Sequence, residues 1–357
     1  MRFLFTAVSK YGLVVGLIIM IAAFSIAKPD AFPTFANAGS ILSDSAVLSL
    51  VALGIMLPLV VGHFDLSPGF VASLAVMLTA GMLSRNQLPW PVVLLIVLVV
   101  GASIGAIMGT LVAHLELNSL IVSLGVGSVV SGLVLMYSEG QIIFQGIPKS
   151  FVKLGQTRLF DFMPLPFIYA MVVAVVMWFV LSMRPGGRRL YAIGSSPEAA
   201  RLIGINVRRY VLISFVVSSV LASLAGFVQV ARLGAGHPTS AQSLLLPAYA
   251  AAFLGATAFR PGFYNVWGTF FAVYLVGAGT TGLFMLGGES HVQPVFNGAL
   301  LILAVAVARL GVIRKSKTMA KRAEAMLHQR EETRQHGDGP DCPAPILLST
   351  DKSPKRA

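Results

Sequence analysis

About ten stretches of this chain stay apolar for close to the length that crosses a hydrocarbon core: 11–28, 45–62, 68–84, 91–113, 119–137, 164–183, 210–231, 244–259, 264–286 and 292–310. Backbone in lipid must satisfy its own polar groups, so a succession of such runs points to a bundle of helices. The expected fold class is therefore all-α, a polytopic membrane protein of about ten transmembrane helices. Two runs are weak, because Pro68 and Gly69 open one and Pro247 interrupts the other. Broken helices at membrane depth persist only where they line a cavity or are buried in protein, so short or broken helices are expected near 62–70 and 244–259.

Composition excludes the other broad classes. With 56% hydrophobic and only 11% charged residues, the chain cannot cover a soluble globule with polar surface. The net charge of +12 resides in short loops and the tail, not in a patch interleaved with aromatics, which argues for orientation against membrane lipid and against nucleic acid. The single cysteine, Cys342, excludes an intrachain disulfide and a cysteine metal site. Arg2 and Lys10 precede an apolar run that is long for a secretory signal and is followed by no Ala-x-Ala site, so an uncleaved first helix is expected.

The largest polar island, 184–209, holds six arginines (Arg184, Arg188, Arg189, Arg201, Arg208, Arg209) against one acid, Glu198. Pro197 followed by Glu-Ala-Ala starts a short helix that Gly204 can end. Ten spans from an inside N-terminus place this island, Arg260 and the tail on the cytoplasmic side, as the positive-inside rule requires. The transmembrane part is then 1–313 and the cytoplasmic tail 314–357, its last part without order. On the other side, 138–163 is the longest connection, broken by Gly140, Gly146, Pro148 and Gly155; it is either a solvated loop or a rest for an external partner. Gly101-x3-Gly105-x3-Gly109 is a small-residue stripe suited to close helix packing, within the chain or between copies.

Few residues carry chemistry. Asp65, in Gly62-His63-Phe64-Asp65-Leu66-Ser67-Pro68-Gly69, is costly at membrane depth, so it either caps the third helix or lines a solute pathway with His63 and Ser67. Asn118, with His114 and Glu116 between the fourth and fifth runs, is either loop or a further pathway residue. No HExxH spacing, catalytic triad or GxxxxGK[ST] loop is present, so no metal or cofactor is assigned, and ATP, if it drives the protein, must be hydrolysed on another subunit.

These segments resemble permease subunits of bacterial ATP-binding cassette importers of the ribose, xylose and galactose type. The family's Gly-Gly-x-Asp-Leu-Ser-x-Gly is similar to Gly62–Gly69, and its Gly-Arg-x-x-Tyr-Ala-Ile-Gly followed by Glu-Ala-Ala-Arg-x-x-Gly-Ile to Gly187–Gly194 and Glu198–Ile205. The likeness covers most of 40–310 and departs at His63, Pro68, Phe70, Leu245-Leu246-Pro247 and Gly255-Ala256. The resemblance implies a type II importer-like fold in the bacterial inner membrane with both termini cytoplasmic. It implies an ATPase subunit, a periplasmic solute-binding protein and a second permease copy as partners, and a sugar or polyol as the translocated solute. It also implies that Glu198, Ala199, Ala200, Arg201 and Gly204 form a coupling helix docked on the ATPase; the residues' own chemistry leaves Gly62, His63, Asp65, Ser67, Gly69 and Asn118 as the candidates for the helix break or pathway. Nucleosides, autoinducer-type furanoses and branched-chain amino acids are the alternative cargoes. Outside this class stand an ion-driven secondary transporter, for which Asp65 is the one well-placed acid, and a multipass enzyme, for which no catalytic pair is found.

Overall fold

The computed structural model describes residues 2–159, 162–289 and 291–306, with side chains from Gly12 onward. The helices run α1 (Arg2–Ala27), α2 (Phe35–Val60), α3 (Pro68–Ser84), α4 (Trp90–Ala113), α5 (Ser119–Ser138), α6 (Lys149–Gln156), α7 (Leu165–Met183), α8 (Pro185–Ser195), α9 (Pro197–Leu202), α10 (Val207–Leu233), α11 (Leu245–Gly255) and α12 (Val266–Met285). A last apolar helix, α13, covers Val292–Ala306. Each of the ten apolar runs falls on one of these helices, as far as the described residues reach; 307–310 and the tail 314–357 lie outside them. All described residues belong to one compact unit, Met1–Gly311.

Six helices are long and apolar enough to cross a membrane: α2, α4, α5, α7, α10 and α12. The apolar parts of α1, α3, α11 and α13 are shorter. Burial sorts the long ones into an inner set and an outer set, with α4 at 33% in the outer one. The apolar windows of α2, α10 and α12 are 72%, 67% and 61% buried, whereas those of α5 and α7 are 28% buried. A helix apolar all round with most of that surface uncovered is at home only in lipid or against another protein.

The glycine stripe explains how α4 approaches α10. A Cβ on Gly105 would sit 2.6 Å from the Phe215 carbonyl, and one on Gly109 would sit 2.9 Å from Leu212 Cα, so α4 lies backbone to backbone on α10. The stripe is an intrachain packing surface, as small residues allow where no hydrophobic force draws helices together.

Two segments differ from expectation. The connection 138–163 contains α6 and the start of a two-residue antiparallel ladder, Arg158–Leu159 with Met163–Pro164, and Ile143 bridges to Gly236. α6 forms despite its flanking breakers because Phe151 is buried against Phe227, and Gly155 lets α6 lie on the backbone of Ala231 and Arg232. The island 184–209 folds into two helices instead of one. In α8, Pro185 occupies the first turn, Gly187, Leu190 and Ile193 face inward, and Arg188 and Arg189 face out. Gly187 does not break the helix; it admits the backbone of Leu181, which a Cβ would strike.

Candidate functional site: the junction of two shortened helices

The junction begins where α2 stops. Gly62 adopts φ +87, its N–H donates to the Leu59 carbonyl (3.1 Å) and that of His63 to the Pro58 carbonyl (2.9 Å). This paired closure satisfies end carbonyls that would otherwise be orphaned, and it needs the left-handed conformation that glycine adopts without penalty. The chain then runs non-helically over 63–67 before α3 starts at Pro68.

Asp65 is wholly buried in that connection. Its Oδ1 accepts from the Ser67 N–H (3.0 Å) and the Ser67 hydroxyl (2.7 Å), and its Oδ2 accepts from the Ser218 hydroxyl of α10 (2.8 Å). The Tyr249 hydroxyl of α11 brackets its backbone, donating to the Asp65 carbonyl (2.6 Å) and accepting from the Asp65 N–H (3.0 Å). Among the described residues the ion pairs are Arg208–Glu116, Arg232–Asp44 and His291–Glu289, so the carboxylate is held by dipoles alone. The carboxyl group is tolerable here because both its oxygens are hydrogen-bonded and the start of α3 presents its positive end. Asp65 thus clasps the residue before α3; the N-cap position belongs to Ser67, whose side chain makes no cap bond.

Both shortened helices begin at this point. A Cβ on Gly69 would lie 3.3 Å from Gln242 Cα and Leu245 Cβ, so the first turn of α3 touches the start of α11 and the 3-10 turn Gln242–Leu244 before it. Ser218 lies eleven residues past Val207, about 16 Å along α10, which sets the junction well in from that helix's end. His63 is half-buried beside Phe215, and Phe64 is 39% exposed with its ring flanked by Tyr249 and Phe253. Of the residues singled out in sequence, Asp65, Ser67 and Gly69 come together, with Gly62 and His63 leading in. Asn118 stands apart as the N-cap of α5, its Oδ1 accepting from the Leu120 N–H (2.9 Å), while its neighbour Ser119 accepts from the Phe64 N–H (3.2 Å).

The polar island gathers at one end with the other connections. A Cβ on Gly194 would strike the Val60 carbonyl, Arg208 pairs with Glu116 (3.5 Å), and the Tyr191 hydroxyl donates to the Tyr264 carbonyl (2.7 Å). Burial pushes the Tyr191 phenol up, opposed by the nearby Arg260 charge, and burial pushes Tyr264 up to about 12. α9 is capped by Ser196, which accepts from the Ala199 N–H (3.3 Å). It is closed by Gly204 at φ +80, with Gly204 N–H to the Arg201 carbonyl and Ile205 N–H to the Ala200 carbonyl, each 3.0 Å. Glu198, Ala199 and Arg201 are exposed, but Ala200 is buried and anchors the helix. Two exposed hydrophobic residues here were not singled out from sequence: Leu202 and Ile203, 89% and 74% exposed. An apolar pair inside a polar island was the available signal. Ser218 and Tyr249 carried none, since each looks like an ordinary small or aromatic helix residue. Among the described residues, no three His, Cys, Asp or Glu side chains converge.

Six helices long and apolar enough to cross a membrane, a junction of shortened ones and a basic face define a multi-pass membrane protein. Residues 37–305 match the family described as the permease component of the branched-chain amino acid transport system, and the chain belongs to that family. It is 33% identical over 303 residues to the ribose import permease protein RbsC of Bacillus subtilis (strain 168), covering 84% of this chain and 92% of that one. It is 32% identical over 301 residues to the D-allose transport system permease protein AlsC of Escherichia coli (strain K12), with the same 84% and 92% coverage. The galactose/methyl galactoside import permease protein MglC of Escherichia coli (strain K12) is 28% identical over 330 residues, 87% of this chain and 97% of its own. No solved structure matches.

Proposed function

We infer that this protein is the membrane-spanning permease subunit of an ATP-binding cassette importer, and that its cargo is a monosaccharide. The observation that carries the reading is near full-length similarity to permeases named for D-allose, ribose and galactose import. The family description names branched-chain amino acids, which keeps them as the alternative cargo.

The six long and four shorter apolar helices make ten crossings, with both termini and the arginine-rich island in the cytoplasm. A separate subunit hydrolyses ATP and receives α9, a solute-binding protein delivers the sugar outside, and a second permease copy completes the pathway. α9 contacts the ATPase through Glu198, Ala199, Arg201 and the apolar pair Leu202 and Ile203, with Ala200 and Gly204 fixing its shape. Its displacement passes into α10, which follows within a few residues. Ser218 then carries it to Asp65 and the start of α3, and Tyr249 relays it to α11. Alternating access needs contacts that differ between two states, and this junction is where ATP-driven closure biases them.

The test is uptake by the reconstituted transporter. Ribose, allose or galactose uptake that needs ATP and vanishes in Glu198→Arg, with membrane insertion intact, supports the reading. ATP-dependent leucine uptake without sugar uptake would replace the cargo, and uptake without an ATPase subunit would replace the class.

A further inference from the structure

We propose that the corner between α7 and α8 binds the phosphate headgroup of an anionic phospholipid, with Arg184 and Arg188 as its ligands. α7 is among the least covered of the long helices, and Val172, Val176, Phe179 and Met183, spaced three or four apart, form an exposed apolar stripe along it. The stripe ends at Arg184, where the backbone turns extended (φ −92, ψ 149) before α8 begins. The Arg184 guanidinium lies 5.2 Å over the Phe179 ring, one turn back along the stripe. Arg188 follows four residues on, near the start of α8, and is exposed. Neither arginine enters an ion pair among the described residues, and Glu198 is the one acid in 184–209.

This is a two-part surface with one chemistry. Acyl chains cover an apolar stripe, and a weakly hydrated planar cation, already stacked on an aromatic ring, waits at headgroup level to take two phosphate oxygens at once. A zwitterionic headgroup offers the same phosphate but cancels its charge, so the site discriminates lipids by net charge. The inference is independent of the cargo.

Purified full-length protein, exchanged into detergent with phosphatidylglycerol or phosphatidylcholine of identical acyl chains, tests it by native mass spectrometry. Phosphatidylglycerol is expected to be retained roughly tenfold more than phosphatidylcholine. That preference should vanish in Arg184→Ala/Arg188→Ala but persist in Arg209→Ala, with unchanged melting temperature in phosphatidylcholine for both variants. Millimolar inorganic phosphate should leave the bound lipid in place. Equal retention of the two lipids, an undiminished preference in the double variant, or displacement by phosphate alone would overturn the proposal. So would a disulfide-linked dimer of Val176→Cys in a Cys342→Ser chain, which would put a second copy on this face.

Discussion

Ser218 and Asp65, 153 residues apart, meet through a 2.8 Å hydrogen bond that ties the middle of α10 to the chain entering α3. Removing the hydroxyl leaves one oxygen of the buried carboxyl group without its partner, while Ser67 still serves the other. Ser218→Ala should therefore lower stability by about 1 kcal/mol and Asp65→Ala, which strands several donors at once, by about 1–3 kcal/mol. Thermal unfolding in detergent measures both. On the proposed coupling route, uptake should fall further in Ser218→Ala than the loss of folded protein accounts for; uptake that tracks folded protein would make the bond purely structural.

Tyr249→Phe removes one atom and two hydrogen bonds, leaving the N–H and carbonyl of buried Asp65 unsatisfied. The expected loss is about 1–3 kcal/mol. Because Tyr249 and Ser218 hold the same residue, their effects should not add: a double-mutant cycle is expected to show coupling of at least about 0.5 kcal/mol. Simple additivity would mean that α10 and α11 are not joined through Asp65.

Leu202→Asp/Ile203→Asp places charge on the two most exposed hydrophobic side chains of the island. Stability should stay within about 0.5 kcal/mol of the parent, because neither side chain is packed. ATP-dependent uptake and co-purification of the ATPase subunit should both be lost. Ala200→Leu, at a buried position of the same helix, should instead lower the melting temperature, by about 1–3 kcal/mol in stability. Normal co-purification in the first variant would move the docking surface off Leu202 and Ile203.

What could be read from the sequence follows the range of each interaction. Apolar runs are local, so all ten appear as helices, and the two runs with early prolines appear as the short α3 and α11. Gly62 and Gly204 act on neighbours five residues away or closer, and their helix-ending role is visible in the chain. α6 was hidden because eight residues between breakers are too short a run to stand out, although they are amphipathic, and its stability comes from Phe227, Ala231 and Arg232 on a distant helix. The partners of Asp65 were hidden for the same reason. A carboxylate in an apolar chain announces that it needs donors, but not that Ser218 and Tyr249 supply contacts from 153 and 184 residues away.

Tyr264 lies between α11 and α12, outside both helices, and burial raises it to about 12 from an ordinary 10.0. A raised folded-state pKa means that the folded protein holds its proton where the unfolded chain has lost it. This contribution is complete below pH 10 and declines as pH rises toward 12, amounting to about 2–3 kcal/mol across the window. Tyr264→Phe should remove that part of the alkaline loss while keeping the carbonyl that accepts from Tyr191. Unfolding measured at pH 9 and pH 11 for both proteins isolates the difference; parallel losses would place Tyr264 in contact with water.

Gly194 and Gly204 flank α9, and their substitution should fail for opposite reasons. A Cβ at Gly194 meets the Val60 carbonyl at the end of α2, so Gly194→Ala must push α8 off the helix that leads to Gly62 and Asp65. Overpacking of this kind costs about 1–3 kcal/mol, and it loosens the contact between the island and the junction. Gly204 has open space around its Cβ position but sits at φ +80, so Gly204→Ala carries only backbone strain of about 1–2 kcal/mol, relieved by unwinding the end of α9. Hydrogen exchange should therefore show Gly204→Ala loosening Pro197–Ile205 alone, while Gly194→Ala loosens α8 together with 61–67. If both variants loosen only α9, α8 does not buttress the end of α2, and the path from the island to Asp65 runs through α10 alone.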